Sequence, residues 1–346
     1  MTFDPSAAAR ADSGIFGLPF SADESKVIVL GVPFAATTSY GGGAEDGPPA
    51  IVAASRQVDL FDPETGRPYE AKIAYSAELD HLRELHAKVR PLASRVIEVG
   101  GAIGDDPRLH SALATVNAAG AKVNQDVYAS VRHWHDQGKL VAVVGGDHST
   151  PLGAIRALAE AHPGLGILHI DAHADLRVAY EGFTYSHASI MHNVATLVPQ
   201  VSRIVQVGIR DFSEDEARSI TGSNARIVSF FDHSLAEQKL SGVPWSKVVE
   251  PILDALPQKV YVSFDIDGLD PVLCPNTGTP VPGGLSYHEA LYLLGGLVRA
   301  KKQIVGCDIN EVAPGQDGSE WDANVGARLL YKLIGRMLQS QGLIPG

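Results

Sequence analysis

The chain lacks any run approaching the roughly 20 uninterrupted apolar residues that a membrane helix requires. Its first residues, MTFDPSAAARADSG, lack the basic-then-apolar pattern of an export signal. A cytoplasmic protein with no membrane partner is the expectation. Cysteine is nearly absent: Cys274 and Cys307 are the only two in 346 residues. They are too few and too far apart in sequence to form a disulfide framework or a thiolate metal cage, so both read as packing residues. Positive charge is also scarce. With 28 Lys and Arg against 40 Asp and Glu, the formal net charge is −12, which argues against nucleic acid and anionic membranes as partners and suits a cationic small molecule. Charged residues make up only 20% of the chain and hydrophobic ones 45%, ample for a large core. There is no low-complexity linker and no fixed-period repeat. The expected organisation is an N-terminal extension over residues 1–25, loosely held or interface-forming, and a single catalytic domain over 26–346.

What is present is a succession of short apolar runs: KVIVLGVPF from Lys26, KLVAVVGGDHS from Lys139, GILHIDAHAD from Gly166, RIVQVGIRD from Arg203, KVYVSFDIDGLDP from Lys259 and KQIVGCDINEVAP from Lys302. Each reads as a buried parallel strand. Stretches of helical periodicity lie between them, among them GAKVNQDVYASVRHWHDQ, PLGAIRALAEAH, PWSKVVEPILDAL and SYHEALYLLGGLVRA, with WDANVGARLLYKLIGRMLQ at the end. Strands alternating with helices predict an α/β protein, a parallel sheet covered on both faces. Residues 64–107 give no readable pattern.

In such sheets ligands bind beyond the carboxyl ends of the strands, and the acidic and histidine residues gather there. His148 follows VAVVGGD; Asp171, His173 and Asp175 follow ILHI; Asp265 and Asp267 follow VYVSF; Glu311 follows IVGCDIN. In Asp171-Ala172-His173-Ala174-Asp175 the ligand-type side chains alternate with alanine, and in extended backbone alternate residues share a face. Asp265-Ile266-Asp267 repeats the arrangement, with Gly268 permitting a sharp turn or a close approach. Four carboxylates and two imidazoles would then converge. Four carboxylates so close cannot all ionise unaided, and two divalent ions match their charge better than one. An oxygen-rich, cysteine-free set favours Mn²⁺ over structural Zn²⁺, with Ni²⁺, Co²⁺ and Fe²⁺ open. A lone DxD or DxHxD is more often a turn or helix cap than a metal site; two of them with GGDHS, in order after three buried strands, is not.

Through GGDHS at 145–149, DAHADL at 171–176 and SFDIDGLDP at 263–271 the chain resembles the ureohydrolase (arginase and agmatinase) superfamily, and most closely its agmatinase-like members. VPFAATTSYGGGAEDGPPAI, TGTPVPGGLS and NEVAP extend the resemblance over nearly everything after Lys26. It implies a three-layer αβα arginase-like fold with a central, mostly parallel sheet, and a homo-oligomer, trimer or hexamer. It also implies that His148, Asp171, Asp175 and Asp265 hold one metal, and Asp171, His173, Asp265 and Asp267 the other. By the same resemblance Glu311 pairs with a guanidinium, His187 in TYSHASI delivers a proton to the leaving amine, and Thr279 contacts the guanidinium nitrogens. Asp175 would orient the hydroxide that two ions generate from water.

The implied reaction releases urea and an amine from a cationic guanidino substrate, agmatine or a relative. Ser213 stands where arginases carry an acid reaching toward the substrate's α-amino group, which disfavours arginine. Arg177 would suit a carboxylate tail such as that of 4-guanidinobutyrate or 3-guanidinopropionate, though such an arginine is more often an ion-pair partner. The alternatives are a guanidine hydrolase, a formimidoylglutamate-type hydrolase releasing formamide, and, in a different class, a non-catalytic metal-binding assembly protein.

Overall fold

The computed structural model describes residues 3–345. All six apolar runs form strands, and two further strands join them. In chain order they are β1 (Val27–Val32), β2 (Ile73–Ser76), β3 (Leu140–Gly145), β4 (Leu165–Ile170), β5 (Val201–Ile209), β6 (Ile227–Phe231), β7 (Lys259–Asp265) and β8 (Gln303–Asn310). They make one sheet in the order β2-β1-β3-β8-β7-β4-β5-β6, and every pairing is parallel. The last strand in sequence, β8, thus lies at the centre, between β3 and β7.

Parallel strands need long crossovers, and helices supply them, with one more after the last strand. These are α1 (Gly47–Ser55), α2 (Leu82–Ile97), α3 (Pro107–Asp136), α4 (Leu152–Ala161), α5 (Ile190–Leu197), α6 (Glu214–Thr221), α7 (Asp232–Leu240), α8 (Trp245–Ala255), α9 (Tyr287–Arg299) and α10 (Trp321–Ser340). Because side chains alternate along a strand, each strand feeds two apolar layers. On β4, Ile167 packs in the layer that holds Val127 of α3 and Ile155 of α4. Leu168, one residue on, belongs to the opposite layer with Leu294 of α9 and Leu330 of α10. The fold is the expected three-layer α/β arrangement. Each large aliphatic side chain buried this way contributes roughly 1.5–3 kcal/mol.

Two differences from the sequence reading have local causes. β2 and β6 are the edge strands; one has four residues and the other is only half-buried, so neither carries a long apolar run. The segment before Ser25 is not loosely held throughout. Ile15, Phe16 and Leu18 are buried, the Phe16 ring lies 4.8 Å from that of Tyr331 on α10, and the Phe16 amide donates to Ser55 Oγ at 2.8 Å. An apolar triplet in a polar segment is a weak periodic signal, yet it seals the layer over α1 and α10.

Candidate active site

The residues singled out in the sequence meet above the carboxyl ends of β3, β8, β7 and β4, four neighbouring strands. His148 lies in the turn that follows β3. Gly146 lets that turn pass beneath Phe34, whose carbonyl oxygen stands 2.0 Å from where a Cβ would be. His148 Nδ1 is 3.0 Å from Asp171 Oδ2, 3.2 Å from Asp265 Oδ2 and 3.5 Å from Asp175 Oδ2. His173 Nδ1 is 3.1 Å from Asp267 Oδ2 and 3.5 Å from Asp171 Oδ1. The four carboxylates are buried.

Alternation in extended backbone accounts for only part of this convergence. Asp171 follows directly on β4, but Asp175 has φ of 54°, a left-handed conformation costly for a residue with a Cβ. Its carbonyl accepts from the amides of Met191 and His192 at the start of α5, both at 3.0 Å, which holds the turn. Asp267 likewise arrives through a 3-10 turn over Ile266–Gly268, in which Asp265 Oδ1 accepts from the Asp267 amide at 2.9 Å. Gly268 is required there because a Cβ would stand 2.7 Å from the Asp171 amide nitrogen. Glu311 is the second site residue in a left-handed conformation, with φ of 61°. Its amide donates to Gly146 O at 2.9 Å and its carbonyl accepts from Thr277 Oγ1 at 2.8 Å. Its Oε1 accepts from the His148 amide at 3.0 Å.

The electrostatics show what this cluster is suited to hold. Burial, then the charges of their carboxylate neighbours, push Asp175 and Asp265 well above the usual carboxylate range. Burial opposes charge on Asp171 as well, yet the imidazoles of His169, His148 and His173 hold it well below that range. Burial would lower the histidines too, but the carboxylates of Asp171 and Asp265 raise His148 far above its ordinary value. Asp267 and Asp171 together push His173 up to about 12. In the metal-free protein, protons therefore occupy a site rich in negative charge. The donor atoms of His148, His169, Asp171 and Asp175 lie within 4.8 Å of one another, and those of Asp171, His173 and Asp267 form a second such group. Asp171 is common to both. This donor set fits a pair of divalent cations, which would displace those protons and neutralise the carboxylates.

A cavity of about 160 Å³ opens over the cluster, walled by His173, Asp175, Asp265, His187, Thr279 and Arg177 among others. His187 is almost fully buried; burial lowers it to about 4, so its ring is neutral at pH 7. Its Nδ1 stands 3.7 Å from Glu311 Oε1, while its Nε2 and Glu311 Oε2 have no hydrogen-bond partner. Such orphaned polar atoms cost about 1–3 kcal/mol each, the signature of a position awaiting a ligand or water. The Thr279 hydroxyl faces Asp267 Oδ2 at a long 3.4 Å. Arg177 lies on the cavity wall, but its Nε is 3.6 Å from Glu216 Oε2 and its guanidinium stacks over Tyr180 at 4.7 Å.

Ser213 does not leave this wall without an acid. Its hydroxyl and amide both donate to Glu216 Oε2 at 2.8 Å in the capping box of α6. Glu216 Oε1 accepts from the Leu176 amide at 3.0 Å. The Glu216 carboxylate is present but committed. Outside it lies a further cavity of about 620 Å³, whose wall includes Glu181, Asp215 and Glu216 against Arg177 and Arg218.

The sequence reading missed a supporting layer. At one register level Ser229 on β6, Gln206 on β5, His169 on β4, Ser263 on β7 and Asp308 on β8 stand side by side. This polar row crosses what is otherwise an apolar sheet interior, two residues below Asp171 and Asp265. Its bonds run up to the site: His148 Nε2 meets Ser263 Oγ at 2.9 Å, and Ser263 donates to Asp308 Oδ1 at 3.1 Å. Single polar letters inside VSFD, ILHI, IVQV and VGCD were the available signal. Asp147 of GGDHS was also passed over. It accepts from Thr37 Oγ1 at 3.1 Å, which in turn accepts from the His187 amide at 3.0 Å, so the turn after β3 also positions His187.

The family model described as "Arginase family" matches residues 25–335. The N(1)-aminopropylagmatine ureohydrolase of Thermus thermophilus is 34% identical over 314 residues, 90% of each chain. The agmatinase of Bacillus subtilis is 32% identical over 203 residues, 58% of this chain and 64% of the relative. Among solved structures, the agmatine ureohydrolase of Thermoplasma volcanium superposes with a TM-score of 0.68 at 23% identity, covering 93% of each chain.

Proposed function

The chain belongs to the arginase family, and on that premise we propose that it hydrolyses the guanidino C–N bond of an amine-tailed substrate, agmatine or its N-aminopropyl derivative, releasing urea. The observation that carries this reading is the pair of donor groups sharing Asp171, beneath a small cavity into which His187 is placed. A guanidinium carbon is deactivated by resonance and positive charge. When bound, two divalent ions supply the missing reactivity, since coordination lowers the pKa of water from about 15.7 to near neutrality. His148, Asp171, Asp175 and Asp265 would hold one ion and Asp171, His173, Asp265 and Asp267 the other. Their oxygen-rich character favours Mn²⁺, and the two cysteines, buried and free, take no part.

The chain's own groups do the rest. Asp175 accepts a hydrogen bond from the attacking water and fixes its direction. Burial, then the nearby charges of Asp265 and Asp147, raise Glu311 well above its ordinary value, so its carboxyl holds a proton beside the neutral ring of His187, 3.7 Å away. A cationic guanidinium favours the ionised carboxylate. The proton Glu311 gives up then passes to His187, whose free Nε2 delivers it to the leaving nitrogen. Thr37, bonded to Asp147, accepts from the His187 amide and fixes the backbone that carries the ring.

For the tail, the commitment of Arg177 to Glu216 favours an amine over a carboxylate, and the acidic outer cavity gives an extended polyamine room. Arg177 on the inner wall favours a guanidino acid instead. Urea release by Mn²⁺-loaded protein from arginine, agmatine, aminopropylagmatine, 4-guanidinobutyrate and guanidine decides between them. Preference for a carboxylate-tailed compound would overturn the tail assignment, and no urea from any of them the whole reading; formamide from formimidoylglutamate would redirect it.

A further inference from the structure

His169 sits within reach of the metal donors, and its neighbours determine whether it is one of them. It is fully buried on β4, in register with Gln206 on β5. Gln206 is itself fixed. Its Nε2 donates to the Ala174 carbonyl at 2.7 Å and its Oε1 accepts from Ser229 Oγ at 2.7 Å, so the amide has only one satisfactory orientation. That orientation turns an N–H of the same amide toward His169 Nδ1, 3.0 Å away. Nδ1 must accept, which places the proton of the neutral ring on Nε2. Nε2 faces Asp171 Oδ2 at 2.8 Å.

We propose that His169 is a positioning residue and not a metal ligand: it donates Nε2–H to Asp171, the carboxylate shared by both donor groups, and Gln206 and Ser229 fix the tautomer that makes this possible. The inference rests on the metal-site reading above. Its lone pair is spent on Gln206, so none points at an ion. Asp171 is then held at both oxygens, by His169 on Oδ2 and by the His173 amide on Oδ1 at 2.6 Å. A carboxylate shared between two ions has little latitude, because rotation toward one withdraws it from the other. A buried polar row in a parallel sheet is costly unless every member is satisfied, and this end of the row is satisfied with its last bond spent on the site.

The test uses full-length protein in metal-free and loaded forms. ¹⁵N-histidine spectra, with the His169 signals assigned by their loss in His169→Gln, report which nitrogen carries the proton. The Nε2–H form is expected metal-free and after loading with diamagnetic Zn²⁺; a ligand would lose that proton on loading. Calorimetric Mn²⁺ titration should show His169→Leu weakened about 10- to 100-fold, with His169→Gln, which restores an N–H donor, recovering most of the loss. Near-UV circular dichroism confirms folding, and if His169→Leu does not fold, Ser229→Ala with the same spectra tests the tautomer lock. Loss of the Nε2 proton on loading, or wild-type affinity in His169→Leu, would overturn the positioning role. Wild-type protein that takes up no Mn²⁺ would instead overturn the metal reading, and with it any role of His169 toward the ions.

Discussion

Glu311 Oε1 stands 3.7 Å from Nδ1 of His187, which lines the cavity, and each residue has one polar atom without a partner. A carboxyl raised and an imidazole lowered, side by side, assign the proton to the carboxyl. Glu311→Gln should therefore keep its metals and its fold yet lose the substrate's counter-charge, and turnover with it. His187→Asn should lower kcat by about 10²–10⁴-fold, the usual contribution of a general acid. Elemental analysis beside steady-state kinetics checks both. Near-native efficiency in either variant would remove that residue from the reaction.

Exhaustive chelation should abolish activity, and Mn²⁺ should restore it with two ions per chain at saturation. Asp171→Ala should lose both ions together, because both donor groups use that carboxylate. Glu311→Ala should retain them. Full activity with a single tight ion would contradict the binuclear assignment.

Metal uptake should be coupled to proton release. In the metal-free protein Asp175, Asp265, His148 and His173 all hold protons more tightly than usual. An ion must expel them, so apparent affinity falls as pH falls. Calorimetry in two buffers of different ionisation enthalpy measures the protons released. Identical heats in both buffers would mean that the site is already deprotonated.

Tail recognition should follow the commitment of Arg177 to Glu216. Arg177→Ala is expected to leave agmatine turnover close to wild type and to impair no amine-tailed substrate selectively. Arginine should be processed at least about tenfold less efficiently than the best substrate, about 1.4 kcal/mol in transition-state binding, because Glu216 already has its donors. A selective loss of 4-guanidinobutyrate turnover in Arg177→Ala would show the guanidinium to be a carboxylate receptor.

The N-terminal anchor has a stability consequence. Phe16→Ala removes a fully buried ring packed on Tyr331 and should cost about 3–5 kcal/mol, read as a lower denaturation midpoint with metal content unchanged. A variant as stable as wild type would return residues 15–18 to the status of a loose extension.

Much of this was legible in the sequence, for physical reasons. Strands buried on both faces write themselves as unbroken apolar runs, so the six inner strands were visible, and the ligand-type residues at their carboxyl ends marked the site. Edge strands have no such obligation, which is why Ile73–Ser76 and Ile227–Phe231 went unread. Helix α3 was seen only from about Gly120, although Asp106 caps it and Pro107 begins it; its first turns bury Ala112, Val116 and Ala119, a stripe of small side chains with a weaker apolar signal. The backbone at Asp175 and Glu311 could not be foreseen, since left-handed conformations there are imposed by tertiary hydrogen bonds. His169, Gln206 and Asp308 were invisible for a different reason. Each is one polar letter in an apolar run, and only the register of five strands reveals that they form a row.

The central place of β8 bears on how the chain is made. Until residues 303–310 arrive, the sheet consists of two separate pieces, β2-β1-β3 and β7-β4-β5-β6, each with an open inner edge. Those edges are apolar and unpaired, the condition under which strands associate with the wrong partner. On the ribosome, every other strand of the sheet is synthesised before the strand that joins the halves exists, and Glu311 follows it directly. Nascent chains stalled short of Gln303 should therefore depend on chaperones and lack a complete binding centre, whereas those carrying β8 and α10 clear of the exit tunnel should close the sheet and assemble the site in one step.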